Sequence, residues 1–413
     1  MSHRFSSSTL LCLVMLSAAD GLPAAEKLER KVIHSQPSVV LSSSEVSVAI
    51  TERGGHMAPV TFFPKSDRPV QPYHISPWQD EKLTFDVPVL SPLRGDFFCL
   101  PFGGNSDEVN GEKHPPHGEV AGSDWTLSGT PKTNNGVTSM ELTLQTKVRP
   151  GKVTKRVALI DGQSVVYTQH LIEGMSGKVP LGHHATLAMP EKEGAIRMAH
   201  SPIRFGLTNP GVFSDPAKRE YQSLAIGAKF TDLRHVPTLW KAPTETDCSA
   251  FPARRGYADL LSLFSVPATE LKGAPAWVTA TNSEAGYVWF AFKDPEVLPT
   301  TVFWIENHGR HGSPWNGRNN CLGVEDVCAF FAEGLAPSTK PNVVSDAGIP
   351  TSIELSKSKP TAINYIQGVA RIPAGFEQVK TVEFSAGQAT FVSTTGPKVT
   401  ISVKHEFLRS GEL

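Results

Sequence analysis

Hydrophobic and polar residues alternate along much of the chain. Val46, Val48 and Ile50 alternate with small or polar residues, and a period of two residues is typical of a β-strand with one buried face. The same pattern, or a short apolar run of strand length, recurs in residues 140–145, 165–172, 287–292, 301–305, 382–384, 389–392 and 399–403. We therefore predict a strand in each of these segments. Only residues 257–264 look helical.

Turn-forming residues separate the predicted strands. Gly54-Gly55, Asp161-Gly162 and Gly396-Pro397 are examples, and such pairs favour chain reversal. No segment repeats at a fixed spacing of roughly 20 to 50 residues, and no Ser/Gly or Pro tract is long enough for a linker. We predict one all-β domain over residues 26–413, a large antiparallel β-sandwich with long functional loops. A boundary near residue 240 is the alternative if the chain forms two domains.

Residues 1–25 have the layout of a secretory signal peptide. His3 and Arg4 give a weakly basic start, an apolar stretch runs from Leu10 to Leu16, and Ser17-Ala18-Ala19 offers small residues for cleavage. The apolar stretch is shorter than the roughly 20 residues that span a bilayer. We predict a secreted or periplasmic protein that does not contact the membrane after signal removal. A buried N-terminal helix is the alternative interpretation.

The composition excludes several classes of partner. The 413 residues include 39 Lys and Arg against 40 Asp and Glu, a formal net charge of −1. Proteins that bind nucleic acid or a membrane surface normally carry a positive excess, so we expect neither partner. The 34 Gly and 33 Pro residues suit a chain that reverses often and has few long helices.

The cysteines and histidines show no metal-binding pattern. Outside the signal, Cys99, Cys248, Cys321 and Cys328 allow three disulfide pairings, of which Cys321–Cys328 would close a short loop; buried free thiols are the alternative. Two prolines separate His114 from His117, which prevents the helical spacing of an H-E-x-x-H zinc site. We expect no cofactor.

Polar, Gly-rich and aromatic residues concentrate in four patches, which are residues 92–105, 114–125, 182–187 and 304–326. Histidines, carboxylates and tryptophans beside turn residues suit a carbohydrate cleft, because aromatic faces stack on sugar C–H surfaces and His or Glu side chains exchange hydroxyl protons. A single loop histidine or tryptophan is more often structural, so these residues matter as a set.

Three positions within the patches stand out. His117 lies between Pro115-Pro116 and Gly118, which fix the backbone and clear space beside the ring. His183 and His184 are adjacent, so on a strand they point to opposite faces and only one can serve a given cleft. Glu325 lies in an otherwise apolar run, where a carboxylate needs either a raised pKa or an ion-pair partner.

The order of these motifs resembles the aldose 1-epimerase (galactose mutarotase-like) superfamily, in its divergent branches. The resemblance spans about residues 46–403 and rests on Gly54-Gly55, Arg94, His117-Gly118, His183-His184 and Glu325. It implies an all-β fold, a large antiparallel β-supersandwich of the galactose mutarotase-like type. That fold agrees with the strand pattern.

The resemblance also implies an isomerase that interconverts the anomers of a free sugar or sugar derivative by opening its ring. Glu325 would take the proton of the anomeric hydroxyl, His184 (or His183) would protonate the ring oxygen, and His117 and Arg94 would bind and polarise sugar oxygens. We count His117 with the catalytic residues. The four patches add further candidates for substrate binding, which are His183, Asp124, Trp125, Glu306 and Trp315. The chain departs from the family where Glu119 and Val120 replace Phe and Arg, and where Gly182 and Ala185 flank the histidines.

Three other functions remain open from the sequence. A non-catalytic carbohydrate-binding protein would have stacked tryptophans without a converging acid and base. A glycoside hydrolase would need Glu325 to face Glu306 or Asp124 across the cleft, and a polysaccharide lyase would need a cation such as Arg94, Arg310 or Arg318. All three functions imply a carbohydrate ligand, and the near-zero net charge favours a small neutral one. The sequence gives no oligomeric state.

Overall fold

A computed structural model describes Met1 and residues 29–413. The predicted signal peptide in residues 1–25 lies outside the described residues and stays a prediction. Most regular structure is β, and the predicted all-β class is confirmed. The two short α-helices are Leu335–Thr339 and Phe407–Ser410, and the three 3-10 helices are Pro88–Leu90, Glu119–Ala121 and Pro216–Lys218. None of the helices in this described part is long and apolar enough to cross a bilayer.

Two large antiparallel sheets dominate the fold. The ten-stranded sheet contains, in spatial order, Ala250–Phe251, Ile196–His200, Ala276–Asn282, Tyr287–Lys293, Thr361–Arg371, Val165–Glu173, Gly151–Ile160, Val137–Thr146 and Thr126–Leu127, with Lys132–Asn134 also paired to Val137–Thr146. The eight-stranded sheet contains Lys229–Phe230, Ile203–Thr208, Tyr257–Ser265, Thr300–Asn307, Asn320–Cys328, Leu181–His183 and Phe98–Cys99, with Ala185–Ala188 also paired to Asn320–Cys328.

Smaller sheets complete the structure. A four-stranded sheet is formed by Glu29–Ile33, Gln36–Ser42, Val46–Thr51 and Met57–Phe62. A three-stranded sheet is formed by Val379–Ser385, Gln388–Ser393 and Lys398–Ser402. Two further strand pairs are Gly177–Val179 with Ile353–Leu355 and Val236–Pro237 with Glu245–Thr246.

The main hydrophobic core lies between the two large sheets, because both contribute buried apolar side chains to one cluster that includes Leu142, Ile363, Leu261 and Leu322. A second cluster joins the other face of the ten-stranded sheet to the three-stranded sheet. A third covers the other face of the eight-stranded sheet, which we call its outer face. Each large sheet is therefore buried on both faces, which explains why several strands read as continuous apolar runs.

The helix expected at residues 257–264 is wrong, because this segment forms the strand Tyr257–Ser265. It pairs with Ile203–Thr208 on one side and Thr300–Asn307 on the other. Leu261 and Leu263 enter the main core, while Leu260 enters the outer cluster. A strand buried on both faces loses the alternation of apolar and polar residues that would have identified it.

The loop proposed between Cys321 and Cys328 does not form. Both residues lie on the strand Asn320–Cys328, so about 23 Å of extended chain separates them, far beyond the reach of a disulfide. Cys99, Cys248, Cys321 and Cys328 are all free and buried. Among the cysteines that the structure describes, the alternative of small buried apolar residues is the one observed.

Asp326 ties the two large sheets together inside the main core. Lys293 Nζ lies 2.6 Å from its Oδ1, Thr301 Oγ1 donates to the same oxygen over 2.6 Å, and the Tyr365 hydroxyl donates to Oδ2 over 2.7 Å. The Asp326 and Lys293 side chains are 1 % and 2 % exposed. Both oxygens of this buried carboxylate therefore have protein partners, and three groups from two sheets meet at Asp326.

We expect Asp326→Ala to destabilise the fold by about 3–5 kcal/mol, because the Lys293 ammonium would be left buried without its counter-charge. Urea unfolding followed by tryptophan fluorescence measures the loss. Glu383→Ala, which breaks the exposed Lys398–Glu383 pair at 3.3 Å, is the control and should unfold at nearly the wild-type urea concentration. Equal losses in the two variants would contradict the structural role assigned to Asp326.

Candidate functional site

A cavity of about 360 Å³ opens on the outer face of the eight-stranded sheet. Its size falls in the range of small-molecule sites. Its wall is mainly apolar and aromatic, with a few titratable groups, and consists of Val87, Val89, Leu90, Leu93, Phe97, Gly104, Pro116, His117, His184, Phe213, Leu260, Trp304, Arg310, Trp315, Glu325 and Ala332. The three residues predicted to be catalytic, His117, His184 and Glu325, all line this one cavity.

Strand alternation puts Glu325 on the outer face of the sheet. On Asn320–Cys328, Leu322 and Val324 enter the main core, while Cys321 and Val327 join the outer cluster with Glu325 between them. Gly323 stands beside it on the same face, and a Cβ there would lie only 2.6 Å from Glu325 Oε1 and 2.9 Å from Trp304 Cβ. The absence of a side chain at residue 323 therefore makes room for the carboxyl group.

His184 is the direct partner of Glu325. Its Nε2 lies 3.1 Å from Glu325 Oε1, and the two side chains are 7 % and 2 % exposed. Its Nδ1 lies 3.2 Å from Thr186 Oγ1, so both ring nitrogens have a partner. The ring stacks on Phe97, with 4.5 Å between centroids, and meets Trp304 edge-on. These contacts hold the imidazole in one orientation against the carboxyl group.

Burial shifts both members of this pair toward their uncharged forms. Loss of hydration raises the pKa of Glu325 well above its usual 4.5. Loss of hydration, together with the nearby His117, lowers the pKa of His184 well below its usual 6.5. Both shifts favour a protonated Glu325 beside an uncharged His184, and one exchangeable proton can pass between Oε1 and Nε2 across 3.1 Å.

His117 forms another part of the cavity wall, 5.1 Å from His184 between ring centroids. Its Nδ1 lies 3.5 Å from Cys99 Sγ, and burial lowers its pKa to about 4. Burial also raises the pKa of the Cys99 thiol well above 9, so the thiol keeps its proton and can donate it to Nδ1. A neutral His117 then carries its remaining proton on Nε2.

The loop that carries His117 depends on Gly118. Gly118 adopts φ of 78°, and a Cβ there would lie 1.9 Å from the Leu100 carbonyl oxygen. The His117 amide donates to the Gly103 carbonyl over 2.7 Å, which fixes the loop beside residues 98–104. Only glycine permits this close approach of backbone to backbone.

Trp315 is the member of the predicted substrate-binding set that lines the cavity. It meets Trp304 edge-on at 5.6 Å and Trp78 at 4.8 Å between ring centroids. The Arg310 guanidinium lies over its ring at 4.8 Å and is 3.8 Å from a Glu220 carboxylate oxygen. The cation near the cavity therefore has an aromatic and an anionic neighbour.

Glu306 lies beside the cavity rather than in its wall. Its Oε1 accepts the backbone N–H groups of Gly309 at 3.0 Å and Arg310 at 2.9 Å, which shapes the loop that carries Arg310. Burial raises its pKa to about 7, and the backbone hydrogen bonds only partly oppose that shift. Its role in the structure is to hold this loop, which corrects the expectation of direct substrate contact.

Arg94 does not reach the cavity. Its guanidinium donates to the carbonyls of Ile33 and His34, both at 2.9 Å, and to the Gln79 side chain. These bonds attach the four-stranded sheet to residues 79–94. The prediction that Arg94 binds a sugar oxygen in this cavity is thus corrected, because its donors are already occupied by the protein.

His183 faces the main core instead of the cavity. Its Nδ1 lies 2.9 Å from Asp96 Oδ2, and its ring stacks on Tyr365 at 4.2 Å. His184 directly follows the strand Leu181–His183 and faces the opposite side, into the cavity. His184 is therefore the histidine of this pair that the cavity contains, and His183 is structural.

Asp124 and Trp125 also lie away from the cavity. Asp124 is exposed and pairs with Arg53 through an isolated β-bridge. Trp125 is buried in the main core, and its Nε1 donates to the Val120 carbonyl over 2.9 Å. Both residues hold the loop after His117 against the rest of the fold, which corrects their assignment as ligand contacts.

Sequence reasoning missed several wall residues. Phe97 lies in the patch of residues 92–105, where it is an apolar residue among charged ones. Cys99, from the same patch, contacts the wall residue His117 without being part of the wall. Leu260 lies in the segment expected to be helical, and Phe213 lies in a long connection that the strand pattern did not resolve. An apolar wall residue has no local signature, because it looks the same as a core residue.

The acidic, histidine and cysteine side chains of residues 29–413 include no group of three or more that is arranged to hold a metal ion. Of the cavity wall, only His117, His184 and Glu325 carry ligands of the kind that transition metals prefer. His117 and His184 each already use a ring nitrogen on a protein partner.

Solved structures of similar fold cover most of the chain. A candidate aldose 1-epimerase from Klebsiella pneumoniae aligns with a TM-score of 0.59 at 10 % identity, covering 84 % of this chain and 83 % of its own. A galactose mutarotase-like protein from Clostridium acetobutylicum gives 0.56 at 13 %, covering 84 % and 99 %. A candidate mutarotase from Salmonella typhimurium gives 0.53 at 12 %, covering 84 % and 95 %. No family model and no curated protein matches the sequence.

The chain therefore has the galactose mutarotase-like fold, and the fold implied by the sequence resemblance is confirmed. At these identities the likeness is one of architecture.

We expect Glu306→Gln to make stability less dependent on pH. The folded state keeps the Glu306 proton up to about pH 7, whereas the unfolded chain releases it near 4.5. A raised pKa in the folded state means that stability is lost as pH rises through this window. The variant should remove about 2–3 kcal/mol of the wild-type decline between pH 5 and pH 8.

Urea unfolding at several pH values tests this expectation. Glu383→Gln, at an exposed ion pair, is the matched control and should follow the wild-type pH dependence. If Glu306→Gln declines as steeply as wild type, Glu306 titrates as an ordinary exposed carboxyl group and its assigned burial has no energetic effect.

Proposed function

We propose that the cavity binds a small sugar and interconverts its anomers by opening and reclosing the pyranose ring. The observation that carries this proposal is the 3.1 Å contact of Glu325 Oε1 with His184 Nε2 inside a small, mostly apolar cavity. Ring opening needs one group that accepts a proton and one that donates a proton, both beside the anomeric centre. A buried carboxyl–imidazole pair with one proton meets that requirement.

The proposed reaction starts from the form in which the shared proton is on His184 and Glu325 is ionised. Glu325 takes the proton of the anomeric hydroxyl while His184 Nε2 gives its proton to the ring oxygen. The bond between C1 and the ring oxygen breaks, and a C1 carbonyl forms. The aldehyde rotates about the C1–C2 bond, and the reverse proton transfers close the ring as the other anomer.

His117 has a separate task in this scheme. Because burial lowers its pKa to about 4, it is an uncharged imidazole at neutral pH, and an uncharged imidazole is a weak acid. It suits a hydrogen-bond donor that polarises a sugar oxygen from Nε2, with Nδ1 held by Cys99 at 3.5 Å. The full proton transfers belong to Glu325 and His184.

The alternatives receive less support from the geometry. A purely binding protein needs no converging acid and base, and this cavity contains both. For hydrolysis, the two carboxyl groups should stand about 5–9.5 Å apart. Glu306 is not part of the cavity wall, and its Oε1 is already occupied by the backbone N–H groups of Gly309 and Arg310. Asp124 is exposed elsewhere.

We expect Glu325→Gln and His184→Gln each to slow anomer exchange by a factor of about 100 or more, because each removes one proton-transfer group. Exchange between the α and β forms of a panel of aldoses can be measured by NMR. Glu383→Gln and His235→Gln, both at exposed ion pairs, are matched controls that should keep the wild-type rate. If wild type accelerates exchange of no sugar in the panel, the proposal fails.

The acid side of the pH profile provides a second test. Exposed imidazoles titrate near pH 6.5, whereas burial lowers the pKa of His184 well below 6.5 and that of His117 to about 4. We expect kcat/KM to stay nearly constant from pH 7 to pH 5 and to fall only at lower pH. An acid limb centred near pH 6.5 would contradict the buried environment proposed for these two imidazoles.

A further inference from the structure

The cavity wall has few hydrogen-bonding side chains for its size. Of its sixteen residues, four carry a charged or imidazole side chain, which are His117, His184, Arg310 and Glu325, and two more are tryptophans. The other wall residues are apolar or glycine. A polar ligand that is fully hydroxylated would have to face these apolar surfaces with several of its hydroxyl groups.

Much of this limited capacity is already used by the protein itself. His184 Nε2 contacts Glu325 Oε1 at 3.1 Å, and His184 Nδ1 contacts Thr186 Oγ1 at 3.2 Å. His117 Nδ1 contacts Cys99 Sγ at 3.5 Å. The groups left for a ligand are Glu325 Oε2, His117 Nε2, the Arg310 guanidinium and the indole N–H groups.

Acceptors are scarcer than donors in this remaining set. Arginine and tryptophan side chains only donate hydrogen bonds, and His117 Nε2 donates when the Cys99 thiol occupies Nδ1. Glu325 is then the main side-chain acceptor, and the proposed chemistry uses it for the anomeric hydroxyl. Each further sugar hydroxyl that is buried against these side chains has no side-chain acceptor for its proton, and an unpaired buried hydroxyl weakens binding.

The apolar side chains of the wall are well packed against the rest of the protein. Val89, Leu93 and Leu260 are 4 %, 7 % and 5 % exposed, and all three belong to the outer hydrophobic cluster with Trp304 and Trp315. A carbon-rich face of a ligand is stabilised by leaving water for such a surface.

We propose that the sugar accepted by this site is poor in hydroxyl groups, a deoxy or O-alkylated pyranose. Its anomeric centre meets Glu325 and His184, and its unhydroxylated part packs on Val89, Leu93 and Leu260. This inference rests on the proposed anomer exchange and adds the substrate class. Deoxy and O-alkyl sugars share the relevant property, which is the loss of a hydroxyl proton that needs an acceptor.

Matched sugar pairs test the inference. Anomer exchange by NMR would compare galactose with 6-deoxygalactose, glucose with 2-deoxyglucose and 6-deoxyglucose, and glucose with 3-O-methylglucose. We expect kcat/KM to be at least tenfold higher for one or more of the modified sugars than for its parent, and the pair that differs distinguishes a deoxy from an O-alkyl substrate. Parents that react as fast as all of their modified partners would overturn the inference while leaving the proposed exchange intact.

The same sugar pairs also test the inference if the protein turns over none of them. If no sugar is exchanged, the proposed function fails, and calorimetric titration of the same sugars then tests the inference alone. Tighter binding of a modified sugar supports it, and equal or tighter binding of every parent contradicts it.

A wall variant tests the location. Val89→Thr keeps the side-chain shape and adds a hydroxyl that can accept a hydrogen bond from a sugar hydroxyl, so the preference for the modified sugar over its parent should narrow several-fold. Val399→Thr, on the distant strand Lys398–Ser402, is the control and should keep the wild-type preference. An unchanged preference in Val89→Thr would contradict the packing of the apolar part on this wall.

Discussion

The alternation of one buried strand determines both the stability of the sandwich and the character of its cavity. Glu325 and Asp326 are adjacent on Asn320–Cys328, so their carboxyl groups point to opposite faces of the eight-stranded sheet. Each face is covered by a hydrophobic cluster, and an ionised carboxylate in either place needs a partner. Asp326 meets Lys293 at 2.6 Å, whereas Glu325 meets His184 at 3.1 Å. A fixed cation keeps Asp326 structural, and a titratable imidazole leaves Glu325 able to exchange a proton.

The two neighbouring histidines also face opposite sides of the sheet. His183 faces the core and has Asp96 at 2.9 Å, while His184 faces the cavity and has Glu325. Each of these two neighbouring pairs of residues therefore supplies one buried polar contact to each side of the sheet. The inner contacts, His183 with Asp96 and Asp326 with Lys293, fix the residues next to His184 and Glu325 in the core. The strands Leu181–His183 and Asn320–Cys328 are also directly paired, so the position of the outer pair is set by the sheet and the core beneath it.

The all-β class, many of the strands and the candidate acid and base could be predicted from the sequence, because alternation and isolated polar residues in apolar runs are local signals. Glu325 stood out for that reason, since its burial had to be resolved by a partner or a raised pKa. The partners could not be predicted in the same way: Arg94 looked like a ligand contact, but its donors are used by the carbonyls of Ile33 and His34. Residues 257–264 were misread because burial on both faces erases the period of two residues. Which polar groups are left free depends on contacts far apart in the sequence.

The charged groups around the cavity balance one another, as the charges of the whole chain do. A net charge of −1 says little about a local surface, because opposite charges can be segregated. Around this cavity the opposite charges lie close together. Burial lowers the pKa of His117 to about 4, so its imidazole is uncharged at neutral pH. Glu325 and His184 exchange one proton between them, and Arg310 lies 3.8 Å from Glu220. An anionic ligand would find no unbalanced cation there, and a cationic one no unbalanced anion. The local electrostatics therefore favour an uncharged ligand, and its recognition depends on shape, apolar contact and the few hydrogen bonds that the protein leaves free.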